Sequence, residues 1–159
     1  MYLFSTLFCG IAIHELAHIV WYAVYTGTVP ICHSGAPIIL EKGFIWTCTG
    51  DISSLGKTLS GPVAGGLFGL GIMYLARTRT RHPKRTGLFI GGMLLWLVNS
   101  LYGLGWLHGV YVEDGTVVLL GDGVVAIHQA GYTAQIPSLL LLLLGMFLVA
   151  SSVQFRDLS

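Results

Sequence analysis

Four long apolar runs dominate the pattern of hydrophobic and polar positions along this chain. They cover residues 2–25, 55–76, 87–107 and 136–153. A helix needs about 20 predominantly apolar residues to cross the hydrocarbon core of a bilayer. Because each run is close to that length, the pattern predicts an all-α membrane protein with about four transmembrane helices. We expect the whole chain, residues 1–159, to form a single domain.

The two longer connections between these runs contain shorter segments that are typical of β-strands. These segments are residues 38–40 and 44–46 in the first connection, and residues 110–112 and 116–120 in the second. Gly43 ends the bend between the first two segments, and Gly115 ends the bend between the second two. Glycine at such a bend is a hairpin signal. The sequence therefore predicts a short β-hairpin in each of these two connections.

Charge is scarce and unevenly distributed along the chain. Charged residues make up 9% of it, whereas soluble proteins contain about 25%. Five of the eight lysines and arginines fall in the short connection at residues 77–86; they are Arg77, Arg79, Arg81, Lys84 and Arg85. The positive-inside rule predicts that this connection lies in the cytoplasm together with both termini. Both hairpins then lie on the outer side. The sequence contains no basic stripe interleaved with aromatic residues, so it gives no support for a nucleic-acid partner.

The three cysteines do not form a metal or redox motif, because Cys9, Cys32 and Cys48 lack C-x-x-C spacing. Cys9 lies in an apolar run, as a small buried residue would. Cys32 and Cys48 flank the first predicted hairpin. They can pair if this hairpin faces an oxidising compartment, and the sequence leaves open whether they pair or remain free thiols.

The first apolar run contains the motif with the clearest chemistry, H-E-x-x-H at residues 14–18. Positions i and i+4 share one face of a helix, so His14 and His18 can bind one tetrahedral zinc ion. Glu15 would lie beside the metal and accept a proton from water. Ionisable residues within a membrane span are expensive and mark functional sites. The motif therefore predicts His14 and His18 as zinc ligands and Glu15 as the general base.

Two other interpretations of these residues remain open. The first is a polar cluster that joins helices through hydrogen bonds, although a buried acid without a basic partner is rare. The second is haem ligation, which the geometry disfavours because two histidines on one turn of a helix cannot take opposite axial positions.

The sequence resembles the site-two protease family of intramembrane zinc metalloproteases, in particular its small, minimal members. Three features carry the resemblance: the H-E-x-x-H motif in a membrane span, the Ser60-Gly61-Pro62-Val63-Ala64-Gly65-Gly66 segment and the Asp122-Gly123 pair. The resemblance implies a zinc metalloendopeptidase that cleaves transmembrane protein or peptide substrates, with Asp122 as the third zinc ligand. The small residues of the second span would let it approach the H-E-x-x-H helix.

The resemblance is incomplete around the third ligand. In the family an Asn and a Pro precede the Asp-Gly pair closely, whereas Asn99 lies 23 positions before Asp122 and no proline intervenes. Asp122 is preferred over the rival Asp114, because residues 123–127 can begin a helix while Asp114 falls in a predicted turn. His108 and His128 are the remaining alternatives. Asn99 either bonds a ligand or the substrate, or joins helices.

Two further functions stay open. A chain this small can be a non-catalytic subunit that retains the metalloprotease fold and joins other membrane subunits in a larger complex. It can also be a metal-handling or haem protein of the membrane. Lipid is a partner in every case.

Overall fold

The structure is a computed structural model that describes residues 2–28, 31–34, 46–49, 55–78, 84–113 and 116–154. In these ranges the chain forms five α-helices and four strands. In chain order they are α1 (Tyr2–Thr26), β1 (Ile31–Ser34), β2 (Trp46–Thr49), α2 (Leu55–Thr78), α3 (Lys84–Gly103), β3 (Gly109–Glu113), β4 (Thr116–Leu120), α4 (Asp122–Ala130) and α5 (Ile136–Gln154). A 3₁₀ turn, Gly131–Gln135, joins α4 to α5.

Four helical segments are long and apolar enough to cross a membrane, as the sequence predicted. They are Tyr2–Thr26, Thr58–Thr78, Lys84–Gly103 and Asp122–Ser151, the last of which combines α4, the 3₁₀ turn and α5. The third helix ends at Gly103, four residues before the predicted end of that span. The chain turns there because Gly105 adopts a positive φ of 74°, and the amide of Trp106 bonds back to the carbonyl of Leu101.

Helices α2 and α3 pack backbone against backbone. A Cβ atom on Gly92 would lie 2.7 Å from the carbonyl oxygen of Gly69 and 2.9 Å from the amide nitrogen of Met73. A Cβ on Gly69 would similarly lie 2.7 Å from the carbonyl oxygen of Gly92. Small residues at such a crossing let membrane helices approach closely and gain van der Waals contact.

The apolar core lies where α5 packs on this pair. Leu70, Met73, Trp96 and Leu141 form one buried cluster. The Trp96 indole Nε1 donates a hydrogen bond to the carbonyl oxygen of Leu141 at 2.7 Å. Gly145 of α5 lies directly against the Trp96 ring, where a larger residue would not fit. The indole is therefore both packed and satisfied as a donor.

Helix α1 packs on α2 and α3 but has little buried surface of its own. Thr6 and Gly10 are its buried residues, and Gly10 lies against the side chain of Leu95. Its outward face is apolar and strongly exposed, including Phe4 and Phe8 at 75% each. Such a face suits contact with lipid rather than water.

Two antiparallel strand pairs lie in the connections. Strand β1 pairs with β2 between α1 and α2, and β3 pairs with β4 between α3 and α4. The bounds of β3 and β4 overlap the two segments predicted as strands in the second connection. In the first connection, the predicted bend and most of its flanking segments fall in residues 35–45, which lie outside the described residues.

Candidate metal centre

Three side chains that are distant in sequence converge at one point. His14 and His18 come from adjacent turns of α1, and Asp122 is the first residue of α4. The Asp122 Oδ2 atom lies 3.2 Å from the Nε2 atom of each histidine, and the two Nε2 atoms are 3.3 Å apart. The side chains are mostly buried, with 14%, 19% and 24% exposed for His14, His18 and Asp122.

Asp122 reaches the histidines because α4 begins tightly against the end of α3. A Cβ atom on the next residue, Gly123, would lie 2.7 Å from the carbonyl oxygen of Gly103 and closer still to that of Tyr102. Only glycine permits this approach. The prediction that Asp122 lies at the start of a helix is confirmed, because Asp122 is the first residue of α4. The close approach of α4 to α3 explains why a glycine follows Asp122.

Asn99 of α3 orients the first histidine. Its Oδ1 atom lies 2.7 Å from His14 Nδ1, while its Nδ2 group donates to the carbonyl oxygen of Leu95 at 2.9 Å. Because a carbonyl can only accept, the Leu95 bond fixes the amide with Oδ1 towards the histidine. His14 Nδ1 is therefore the donor, and the Nε2 atom of the neutral ring presents its lone pair to the cluster.

Helix α2 lies against both imidazoles through its small residues. The Ser60 hydroxyl lies 3.3 Å from His18 Nδ1. A Cβ atom on Gly61 would lie 2.6 Å from His14 Nε2 and closer still to His18 Nε2. Gly65 approaches the Asn99 side chain in the same way. The prediction that small residues let the second span approach the H-E-x-x-H helix is thus confirmed.

The donor set fits a zinc ion. Neutral imidazole nitrogens and a carboxylate oxygen are ordinary zinc ligands, with bonds of about 2.0–2.2 Å. Two ligands on a tetrahedron of that size are about 3.3 Å apart, which matches the three separations between these atoms. Lone pairs of His14 and Asp122 that face each other at this distance need a proton or a cation between them. Three protein ligands leave the fourth tetrahedral position open.

Glu15, the predicted general base, follows His14 on α1 and is half-buried. In the chain, Glu15 is one residue from His14 and three residues from His18. Glu15 belongs to the same helical turn as the cluster, which suits a proton-accepting role beside the metal position.

Of the alternative third ligands, His108 and His128 lie outside the cluster. His108 and His128 are exposed, and His108 Nδ1 lies 3.0 Å from the carbonyl oxygen of Gly105. Asp114 lies outside the described residues. Within the residues that the structure does describe, His14, His18 and Asp122 form the one group of three or more such side chains close enough to share a metal ion.

The sequence did not reveal two further residues at the site. Ser60 belongs to the glycine-rich segment, but its contact with His18 depends on how α1 and α2 cross. Tyr102 packs edge-on to His14, with ring centroids 5.9 Å apart and an interplanar angle of 60°. Tyr102 is three residues after Asn99, so both lie on one face of α3. Once Asn99 is known to face His14, this spacing indicates that Tyr102 faces His14 as well.

No model of a known protein family matches this sequence, no curated protein matches it, and no solved structure matches its fold. Evidence for a function therefore comes from the geometry of the site itself.

Proposed function

We propose that this chain is an integral membrane zinc metalloendopeptidase that cleaves transmembrane protein or peptide substrates. The observation that carries the proposal is the convergence of His14, His18 and Asp122 beside Glu15, on helices long and apolar enough to cross a membrane. A buried acid and two histidines in such helices require a functional reason, because ionisable groups are costly in lipid.

Each residue has a defined role in this proposal. His14, His18 and Asp122 hold the zinc ion, and Asn99 keeps His14 in the tautomer that leaves Nε2 free to bind. Bound zinc supplies Lewis acidity, which makes water nucleophilic at neutral pH. Glu15 accepts a proton from the water that attacks the scissile carbonyl, and returns that proton to the leaving amine. Hydrolysis thus adds the elements of water across one peptide bond.

The proposed orientation places the 77–86 connection and both termini in the cytoplasm. Arg77 lies at the end of α2, and Lys84 and Arg85 open α3, so these three charges lie at the same ends of neighbouring helices. The strand pairs β1–β2 and β3–β4 follow the opposite ends. The first pair comes directly after the helix that carries His14 and His18, so its free edge can receive an extended, unwound substrate segment.

Zinc content tests the ligand set. We expect about one zinc ion per chain in detergent-purified wild type, and its loss in both His14→Ala and Asp122→Ala, since three ligands hold a tetrahedral site. His128→Ala is the matched control, because His128 is an exposed histidine on the same helix as Asp122. Zinc retained in Asp122→Ala would move the third ligand elsewhere. No zinc in wild type prepared without chelators would remove the metalloprotease proposal.

Glu15→Gln tests the reaction itself. The variant should retain zinc, because Glu15 is not a ligand, while cleavage of a reconstituted transmembrane substrate falls at least ~10²-fold, as expected for loss of a general base. Zinc content and cleavage are measured on the same preparation. Cleavage at the wild-type rate would refute the role of Glu15. Zinc binding without cleavage of any membrane substrate, in wild type as well, would instead support a non-catalytic subunit.

A further inference from the structure

The first strand pair places two of the three cysteines directly opposite each other. In the antiparallel register of β1 and β2, Cys32 is the Cα partner of Cys48, between the pairs Ile31–Thr49 and His33–Thr47. The two cysteines are 16 positions apart in sequence. A connection with two cysteines in random positions would rarely bring them to one register position.

This register meets the backbone requirement for a disulfide. Directly opposite residues on antiparallel strands have Cα atoms about 4.5–5.5 Å apart and share one face of the sheet. Disulfides join residues whose Cα atoms are about 4.4–6.8 Å apart. A shift of one residue in the pairing would put the two cysteines on opposite faces and remove this match.

A covalent link would also stabilise this strand pair. A two-stranded hairpin is only marginally stable by itself in water. Strands β1 and β2 pair with each other and with no third strand in the described residues. They nevertheless belong to the connection that joins α1, which carries His14 and His18, to α2, which carries Ser60 and Gly61.

In the proposed orientation, on which this inference rests, β1 and β2 lie on a side of the membrane where cysteine thiols can be oxidised. The basic connection at residues 77–86 is separated from β1 and β2 by the single span α2, so the strands lie on the opposite side of the membrane. Disulfides form and persist on the non-cytoplasmic side of membranes in many cells, and are rare in the cytoplasm.

We propose that Cys32 and Cys48 form an intramolecular disulfide that closes the connection between α1 and α2. The bond forms by exchange with a disulfide donor. One cysteine thiolate attacks a sulfur of the donor, and the second cysteine then displaces the donor thiol from the mixed disulfide. The two cysteine thiols lose two electrons and two protons, and the donor disulfide is reduced to two thiols.

Counting free thiols tests the proposal. Cells are quenched in acid, and the protein is denatured and treated with a maleimide-linked polyethylene glycol, with or without prior reduction. Wild type should gain one adduct without reduction, at Cys9, and three after reduction, because the chain has three cysteines. Cys9→Ser should gain none and then two. Cys32→Ser and Cys48→Ser should each gain two adducts under both conditions.

Other outcomes overturn the proposal. Three adducts on unreduced wild type would show free thiols, and a reducible band at twice the monomer mass would show a bond between chains. One adduct on unreduced wild type together with two on unreduced Cys9→Ser would show that Cys9 is itself one of the bonded residues. The thiol count requires neither zinc nor cleavage, so its failure is distinguishable from failure of the proposed metalloprotease. Full zinc content and cleavage alongside free thiols would overturn the disulfide alone.

Discussion

Helices α2 and α3 are held to each other differently from the way α1 is held to both. The α2–α3 crossing brings Gly69 and Gly92 into backbone contact beside the apolar cluster around Met73 and Trp96. Helix α1 buries only Thr6 and Gly10, and its contacts with the other helices are rich in polar groups of the metal centre. The best-packed part of the molecule is thus separate from α1, the helix that carries the H-E-x-x-H motif.

This difference indicates that the polar side chains of the candidate metal centre also hold α1 against the other helices. In lipid the hydrophobic effect does not drive helices together, so packing and polar contacts hold them. For α1 those contacts include His14 with Asn99 of α3, and His18 with Ser60 of α2. A zinc ion bound to His14, His18 and Asp122 would add a link from α1 to α4. Substitutions can therefore separate damage to the α2–α3 pair from damage to α1.

The largest effect is expected for Gly92→Ala, which attacks the α2–α3 crossing. The added methyl group meets the backbone of Gly69 and Met73, which cannot rotate away. Overpacking of this kind costs about 1–3 kcal/mol, and the fold should lose thermal stability in detergent together with its zinc. Gly71→Ala is the matched control, because its Cβ meets no atom within 4 Å on the same pair of helices. Equal melting temperatures for the two variants would refute the backbone contact.

Gly61→Ala should break the α1 contact and leave the α2–α3 pair intact. Its methyl group would occupy space beside both Nε2 atoms, so the imidazoles must move away from Asp122. We expect zinc affinity to fall at least ~10-fold, since ligand geometry controls affinity. Thermal stability of the metal-free protein should stay close to that of Gly71→Ala. Wild-type zinc affinity would mean that α1 lies farther from α2.

Asn99→Ala should weaken the site without steric damage. The substitution removes the acceptor that fixes the His14 tautomer, and such partners of a metal-binding histidine are typically worth 10–100-fold in affinity. Competition with a chelator measures the change. Ser100→Ala is the control, because Ser100 is fully buried beside Asn99 and its hydroxyl has no hydrogen-bond partner among the described residues. A loss of equal size in Ser100→Ala would indicate general damage to α3.

Periodic and local features were predictable from the sequence. Apolar run length predicted the helices, and the i, i+4 spacing brought His14 and His18 to one face of α1. Turn chemistry favoured Asp122 over Asp114; Asp122 does begin a helix, whereas Asp114 lies outside the described residues. These inferences need only the local geometry of helices and turns. The identity of the zinc ion, the orientation and the catalytic activity remain predictions.

Individual side-chain contacts between helices were not predictable in the same way. Asn99 bonds to a histidine 85 positions away, so the sequence left it undecided between ligand support and helix packing. Ser60 had no assigned role for the same reason. The end of α3 at Gly103 was missed because the apolar run continues to Leu107, and hydropathy does not register the positive φ of Gly105. Each case depends on the crossing of elements or on one backbone angle.

Ser60→Ala is the smallest of these perturbations, and it tests whether α2 or α3 contributes more to holding α1 in place. Its hydroxyl lies 3.3 Å from His18 Nδ1, longer than the 2.7 Å between Asn99 and His14. A hydrogen bond of ordinary strength contributes about 0.5–1.5 kcal/mol, so zinc affinity should fall only a few-fold, less than in Asn99→Ala. The double variant Ser60→Ala/Asn99→Ala should lose more than either single one, because each residue supports a different ligand on α1. A Ser60→Ala loss exceeding that of Asn99→Ala would mean that α2, rather than α3, fixes α1 in place.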